Sequence, residues 1–167
     1  MRDEHIIRDG RDDDSASLIA LIGAIYAEYP GCILDVEREE PMLLAPATCL
    51  AAEGGRFWVA EDAHGIIGCA GFKRHADHAE LVKLYVAKRE RGRGLATRLV
   101  ATVESAVSLA FARVELWTDA RFLDAHRLYE RLSFRRSPGS RTLDDLSHST
   151  EYHYSKALDS ALVRMSA

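Results

Sequence analysis

The sequence predicts one α/β (α+β) domain, with a mixed central sheet of about six or seven strands flanked by about four helices. Three observations predict it. Strand-like and helix-like segments alternate along the chain, with no internal repeat and no low-complexity linker. The 167 residues, 47% of them hydrophobic, supply one well-buried core and are too few for two ordinary domains, so the expected domain spans residues 1–167. A turn holding Gly92 and Gly94 joins a strand to the longest amphipathic stretch of the chain.

The elements follow in order. Residues 5–8 suit a short first strand. Asp14 or Ser15 can cap a helix whose apolar positions Leu18, Ile19, Ile22 and Ile25 recur at helical spacing until Pro30 and Gly31 stop it. Residues 35–46 are acidic and broken by Pro41 and Pro46, which predicts a loop or short helical pieces before a turn at Gly54 and Gly55. Residues 57–60 and 66–72 read as a hairpin around residues 62–65, with Gly68 and Gly71 weakening the second strand. A fourth strand at 80–86 leads through the basic turn into a helix from about 94 to 112. Its stripe of Leu95, Leu99, Val103, Ala106, Val107 and Ala110 is expected to lie on the sheet. A fifth strand at 114–118, a short helix at 124–132, and strands around Phe134 and at 151–154 complete the chain.

Composition narrows the function. A formal net charge of −4 argues against broad nucleic-acid binding, which needs a basic face to displace phosphate counterions. Cys32, Cys49 and Cys69 are odd in number, widely spaced and match no zinc-ligand pattern, so neither a disulfide framework nor a metal is expected. No run of about 18 apolar residues occurs, and Asp3, Glu4, Asp9, Asp12, Asp13 and Asp14 make the amino terminus too acidic for a signal peptide. A reducing, cytoplasmic location without membrane contact is the expectation.

Within this acidic chain, residues 88–98 form a positive island, with Lys88, Arg89, Arg91, Arg93 and Arg98 against Glu90 alone. The glycines give it meaning beyond a solvated surface. A strand, a turn with Gly92 and Gly94, and the start of a helix bring free backbone N–H groups and the positive helix end to one point. Without a Cβ at 92 and 94 a phosphate can approach the backbone, and the arginines add charge-assisted contacts. No Gly-Lys-Ser/Thr or three-glycine fingerprint is present, so a pyrophosphate on another carrier is the natural ligand.

These residues resemble the GNAT superfamily of acetyl-CoA-dependent N-acetyltransferases. Residues 89–94, Arg-Glu-Arg-Gly-Arg-Gly, match its Arg/Gln-x-x-Gly-x-Gly/Ala signature between the fourth strand and the third helix. The likeness continues through LYV at 84–86, LWT at 116–118 and AHRLYERLSF at 125–134, and covers residues 57–158 best. It implies a GNAT-type fold with fourth and fifth strands splayed at a bulge. It also implies acetyl-CoA as co-substrate, its pyrophosphate on Arg91, Gly92, Arg93, Gly94, Leu95, Ala96 and Thr97 and its pantetheine along Leu84, Tyr85 and Val86. The Val86 amide would face the thioester oxygen. Where the family has glycine before the phenylalanine that follows the fourth helix, this chain has Ser133 before Phe134, which is expected to tighten that turn differently and tilt the helix.

The implied reaction is direct transfer of acetyl to a primary amine. An alkyl amine is mostly protonated at neutral pH, so a base or water relay must remove a proton, and the leaving thiolate needs one back. Tyr129 matches the family's acid; its other reading is packing beside Leu128 and Leu132. Glu80 stands where some members place the base; its other reading is a carboxylate at a strand end. His75, His78 and His126 are weaker candidates, expected at the surface, and Trp117 reads most simply as core packing, with lining of the acyl pocket as its other reading. Cys69 reads as a small buried hydrophobe. Asp35, Glu37, Glu39 and Glu40 could attract a cationic amine or be solvated charge. The acceptor, a small molecule or a peptide, is expected to be chosen by residues 29–46, 73–80 and 137–150. A non-catalytic acyl-CoA-binding module, a protein-modifying enzyme and a homodimer stay open at this point.

Overall fold

The computed structural model describes residues 4–159, so Asp3 and both ends of the expected 1–167 domain lie outside it. In chain order it contains β1 (Ile6–Asp9), α1 (Ser15–Tyr26), α2 (Pro46–Ala52), β2 (Arg56–Asp62), β3 (Gly65–Arg74), β4 (Ala79–Val86), α3 (Leu95–Val107), β5 (Arg113–Asp119), α4 (Leu123–Arg131), β6 (Arg135–Arg136), β7 (Arg141–Thr142) and β8 (Thr150–Ala157). Among the described residues the strands form one sheet in the order β1-β2-β3-β4-β5-β8-β6, with β7 also on β8. The mixed sheet is as expected, and the pair β4-β5 is its parallel step.

Each face of the sheet has its own core. On one, Leu18, Leu21 and Ile25 of α1 and Leu50 of α2 meet Phe57, Val59 and Cys69. On the other, Leu95, Leu99, Val100, Val103 and Val107 of α3 pack on Ala70, Phe72, Leu81 and Leu116. Of the stripe read from the sequence, Leu95, Leu99, Val103 and Val107 are buried and Ala106 is half-buried, whereas the helix ends at Val107, short of the expected 112, and Ala110 is exposed beyond it. Gly71 does more than weaken β3: a Cβ there would lie 2.9 Å from the Arg56 carbonyl and 2.8 Å from Leu50, so its absence lets α2 settle on the strand. Asp14 precedes α1 but does not cap it. Its carboxylate instead receives Arg8 at 2.9 Å and the Arg11 amide at 2.8 Å.

The feature that makes a site is the parting of β4 from β5. Only Ala79↔Val114 and Glu80↔Glu115 are in register, and beyond them the strands diverge. On the other side of β4, Tyr85 faces Cys69 and Val82 faces Gly71, so Lys83 and Leu84 together oppose the single residue Ala70. This is a β-bulge, with Lys83 held at a φ of 56°. Bulges bend and twist the strand that carries them, which turns the far half of β4 away from β5.

Candidate active site

The open half of β4 exposes a row of backbone groups. Ala87 N donates to Ile67 O on β3 at 2.8 Å. Because backbone groups alternate sides along a strand, the Val86 N–H faces the opposite way, into the cleft left by β5. The Val86 carbonyl on the same side accepts Arg91 Nε at 3.2 Å.

The chain then turns into α3. Gly92 and Gly94 hold φ values of 73° and 84°, left-handed geometry that a side chain resists, and Gly94 stands at the helix start. A Cβ built on either glycine meets nothing within 4 Å. The open space beside them belongs to a cavity of about 550 Å³. Leu84, Tyr85, Val86, Arg91, Gly92, Gly94, Leu95, Ala96 and Thr97 line it, facing Ile25 and Tyr29 of the α1 end and Asp124, Arg127, Leu128 and Arg131 of α4. Unpaired amides of a 13-residue helix, positive charge and open room fit a pyrophosphate carrier.

Of the residues expected here, only Arg93 is absent from the lining; its side chain is 63% exposed and sits 3.7 Å from Glu90. Arg89 likewise points elsewhere, to Asp62 at 2.6 Å and Glu90 at 2.7 Å. The signature also fits two residues on, from Arg91 to Ala96, and that register is the one that borders the cavity. Arg91 meets the Glu28 carboxylate in a fork, with both contacts at 2.7 Å. This holds Glu28 below the usual carboxylate range and raises the Arg91 guanidinium further. Glu28 gave no signal in the sequence, because its partner lies 63 residues away.

A second cavity of about 670 Å³ lies on the other side of the parted strands. All three segments expected to choose the acceptor contribute to it, including Glu39 and Glu40, Lys73 and His75, and Arg141, Asp145 and Ser147. Glu80 lines it at the vertex of the two strands, with Lys73 Nζ at 3.3 Å and His75 Nε2 at 3.7 Å. Its neighbour Glu115 is fully engaged, by Arg113 at 2.7 Å, His78 at 3.3 Å and His153 at 2.7 Å. That leaves Glu80 the freer carboxylate. Glu40 pairs with Lys83 of the bulge.

Leu84, Tyr85, Phe122 and Ala125 line both cavities, so the two meet there. Tyr129 lines the second cavity and not the first. It is 5% exposed, packed with Phe134 and Tyr154 at ring distances of 5.7 Å, and burial pushes its phenol well above the usual range. The turn behind it is not tightened. Ser133 takes a φ of 70° as glycine would, with Ser133 N on Glu130 O at 3.1 Å and Phe134 N on Tyr129 O at 2.9 Å. That pair of bonds is a Schellman motif and holds the end of α4 in glycine geometry.

Two expectations are corrected. Trp117 is not core: alternation on β5 buries Leu116 and Thr118, while Trp117 faces the second cavity under Arg141, whose guanidinium sits 4.0 Å from its ring. His126 is not at the surface; it is 8% exposed, its Nε2 lies 2.9 Å from Asp119 O, and neither cavity includes it. Cys69 is fully buried, as expected, and burial pushes its thiol up to about 12. Among the described residues no group of His, Cys, Asp or Glu is arranged to hold a metal, and no helix is long and apolar enough to cross a membrane.

The sequence profile of the acetyltransferase (GNAT) family matches residues 21–134. The chain is 37% identical over 122 residues to human N-acetylaspartate synthetase, which covers 70% of this chain but only 38% of that protein. It is 30% identical over 128 residues to the uncharacterized N-acetyltransferase YjgM of Escherichia coli, covering 72% of this chain and 76% of that one. In fold it is similar to a GNAT-family acetyltransferase of Staphylococcus aureus, with a TM-score of 0.80 at 22% identity over 93% of this chain and 100% of that one. It is also similar to the yncA protein of Salmonella typhimurium, solved with its cofactor acetyl-CoA, with a TM-score of 0.71 at 18% identity over 93% and 94% of the two chains.

Proposed function

The chain belongs to the acetyltransferase (GNAT) family and is an acyltransferase, and on that premise we propose that it moves the acetyl group of acetyl-CoA directly to a primary amine. The observation that carries this reading is the pair of cavities meeting at Leu84, Tyr85, Phe122 and Ala125. One has the cradle for a pyrophosphate, the other is lined by carboxylates and imidazoles, and they share a border of Leu84 and Tyr85 on β4 and Phe122 and Ala125 beyond β5. Such an arrangement lets two substrates react without a covalent enzyme intermediate.

Acetyl-CoA supplies the activated acyl group, and the roles of the chain follow from position. The amides at Gly92, Gly94 and Leu95 hold the pyrophosphate and the exposed edge of β4 holds pantetheine. The Val86 N–H stabilises the oxyanion, a donor fixed before reaction and worth about 3 kcal/mol. Glu80, directly or through a water, takes a proton from the acceptor ammonium. The amine nitrogen then bonds to the acyl carbon and, now cationic, gives up its second proton to solvent; the carbon–sulfur bond breaks, and Tyr129 gives a proton to the thiolate and regains one from solvent. Tyr129 suits that role because it borders the acceptor cavity one residue beyond Leu128, which borders the other. Its phenol is protonated at neutral pH, as an ordinary tyrosine is, and burial raises it further.

The acceptor follows from screening. The human relative's name makes aspartate the first amino acid to test, ahead of other amino acids, polyamines, aminoglycosides and peptides, by thiol release. The coenzyme site has its own test in Gly92→Glu, which puts a bulky negative side chain into the open cradle. The folded variant is expected to lose acetyl-CoA binding by calorimetry, and unchanged affinity would remove the turn from the site.

A further inference from the structure

Three aromatic rings from three separate elements close the junction between the cavities. Tyr85 comes from β4, Tyr26 from the last turn of α1, and Phe122 from the turn between β5 and α4. The Tyr26 and Tyr85 rings meet edge-on at 6.2 Å with their hydroxyls 3.3 Å apart, and Phe122 lies 6.3 Å from Tyr26. Tyr29 backs Phe122 at 4.8 Å from the coenzyme side. Tyr26 borders only the acceptor cavity, whereas Tyr85 and Phe122 border both. Tyr85 and Phe122 share the coenzyme cavity with Val86, so an acyl chain that runs from there toward the acceptor cavity meets these rings.

We infer that Tyr26, Tyr85 and Phe122 form the wall that sets acyl-chain length, admitting acetyl and turning away longer acyl groups. This rests on the reading of the first cavity as an acyl-CoA site. The wall is rigid because each ring is braced by another, so added methylenes would have to displace a ring to reach the acceptor cavity. It is uncharged at neutral pH, as tyrosines are even unshifted, and burial lifts the Tyr26 phenol further to about 12 and Tyr85 well above the usual range. It is also tied to the phosphate turn: Glu28, two residues beyond Tyr26, holds Arg91.

The experiment needs no acceptor. Affinities of acetyl-CoA, butyryl-CoA and hexanoyl-CoA are measured by calorimetry for the full chain and for Tyr26→Ala and Phe122→Leu, with circular dichroism to verify folding. The parent is expected to bind butyryl-CoA roughly 10-fold or more weakly than acetyl-CoA, since even one misfitting methylene costs about that factor. In at least one folded variant the ratio should fall to within about threefold, as the lost ring volume admits the chain. A parent that binds all three alike, or a ratio unchanged in both variants, overturns the wall. A parent that binds none of the three overturns the acyl-CoA site itself, a distinguishable failure.

Discussion

Arg91 and Glu28 face each other as a two-pronged pair, Nη1 to Oε1 and Nη2 to Oε2 both at 2.7 Å, while Arg91 Nε reaches the Val86 carbonyl at 3.2 Å. One guanidinium thus ties the end of α1 to the end of β4, across the mouth of the coenzyme cavity. Forked arginine–carboxylate contacts are the stronger kind of ion pair, but both side chains are partly solvated, which screens the gain.

Glu28→Gln is expected to cost roughly 0.5–1 kcal/mol of stability at neutral pH. The folded pKa of Glu28 is depressed by Arg91, so its contribution is fully present above the ordinary carboxylate pKa and disappears as pH falls through the lower folded value. Urea unfolding of parent and variant should therefore differ at pH 7 and converge as pH falls below the ordinary carboxylate range. A gap that stays constant with pH would show that the pair's charge contributes nothing.

Glu80→Gln is expected to lower turnover by roughly 10- to 100-fold while leaving acetyl-CoA affinity intact, because Glu80 borders only the acceptor cavity. The amide keeps the size and much of the bonding to Lys73 and removes proton acceptance. A pH–rate profile matching that of the parent would make Glu80 a carboxylate at a strand end.

Ser133→Gly is expected to stabilise the fold by about 1 kcal/mol, since a non-glycine residue in left-handed geometry costs that much. For a chain of this size the melting temperature should rise by about 2–4 °C. The Schellman bonds already fix the end of α4, so turnover should not change; a lower melting temperature would mean that the serine hydroxyl compensates for its backbone.

The sequence made legible whatever rests on local pattern. The stripe of α3 from Leu95 to Val107, the glycines of the turn and the edge of β4 could be read because period and φ requirements are written in neighbouring residues. Helix α2 was hidden because Pro46 reads as a breaker, although proline is welcome in a first helical turn. β7 was hidden because two residues carry no alternation. Arg141 over Trp117, Glu28 on Arg91 and the Tyr26–Tyr85–Phe122 wall join residues distant in sequence, and nothing in a residue's local context names such a partner.

The proposed mechanism turns on Tyr129→Phe. Tyr129 is buried among Phe134 and Tyr154, and its carbonyl anchors the turn at Phe134 N, so its position is fixed by packing and backbone and not by its hydroxyl. Phenylalanine keeps the ring contacts and the carbonyl bond. Stability should therefore change by less than about 1 kcal/mol. Acetyl-CoA affinity should hold as well, because Tyr129 does not border the coenzyme cavity. What is lost is a phenol, protonated at neutral pH as any tyrosine is, whose proton could go to a departing thiolate. If it does so, the loss falls on the transition state alone, and turnover should drop by roughly 10- to 1000-fold with little change in substrate binding. The measurement is single-turnover acetyl transfer to an identified acceptor, under conditions where chemistry limits the rate. Full turnover in the variant would make Tyr129 a core residue and pass the proton to water or to another group of the acceptor cavity.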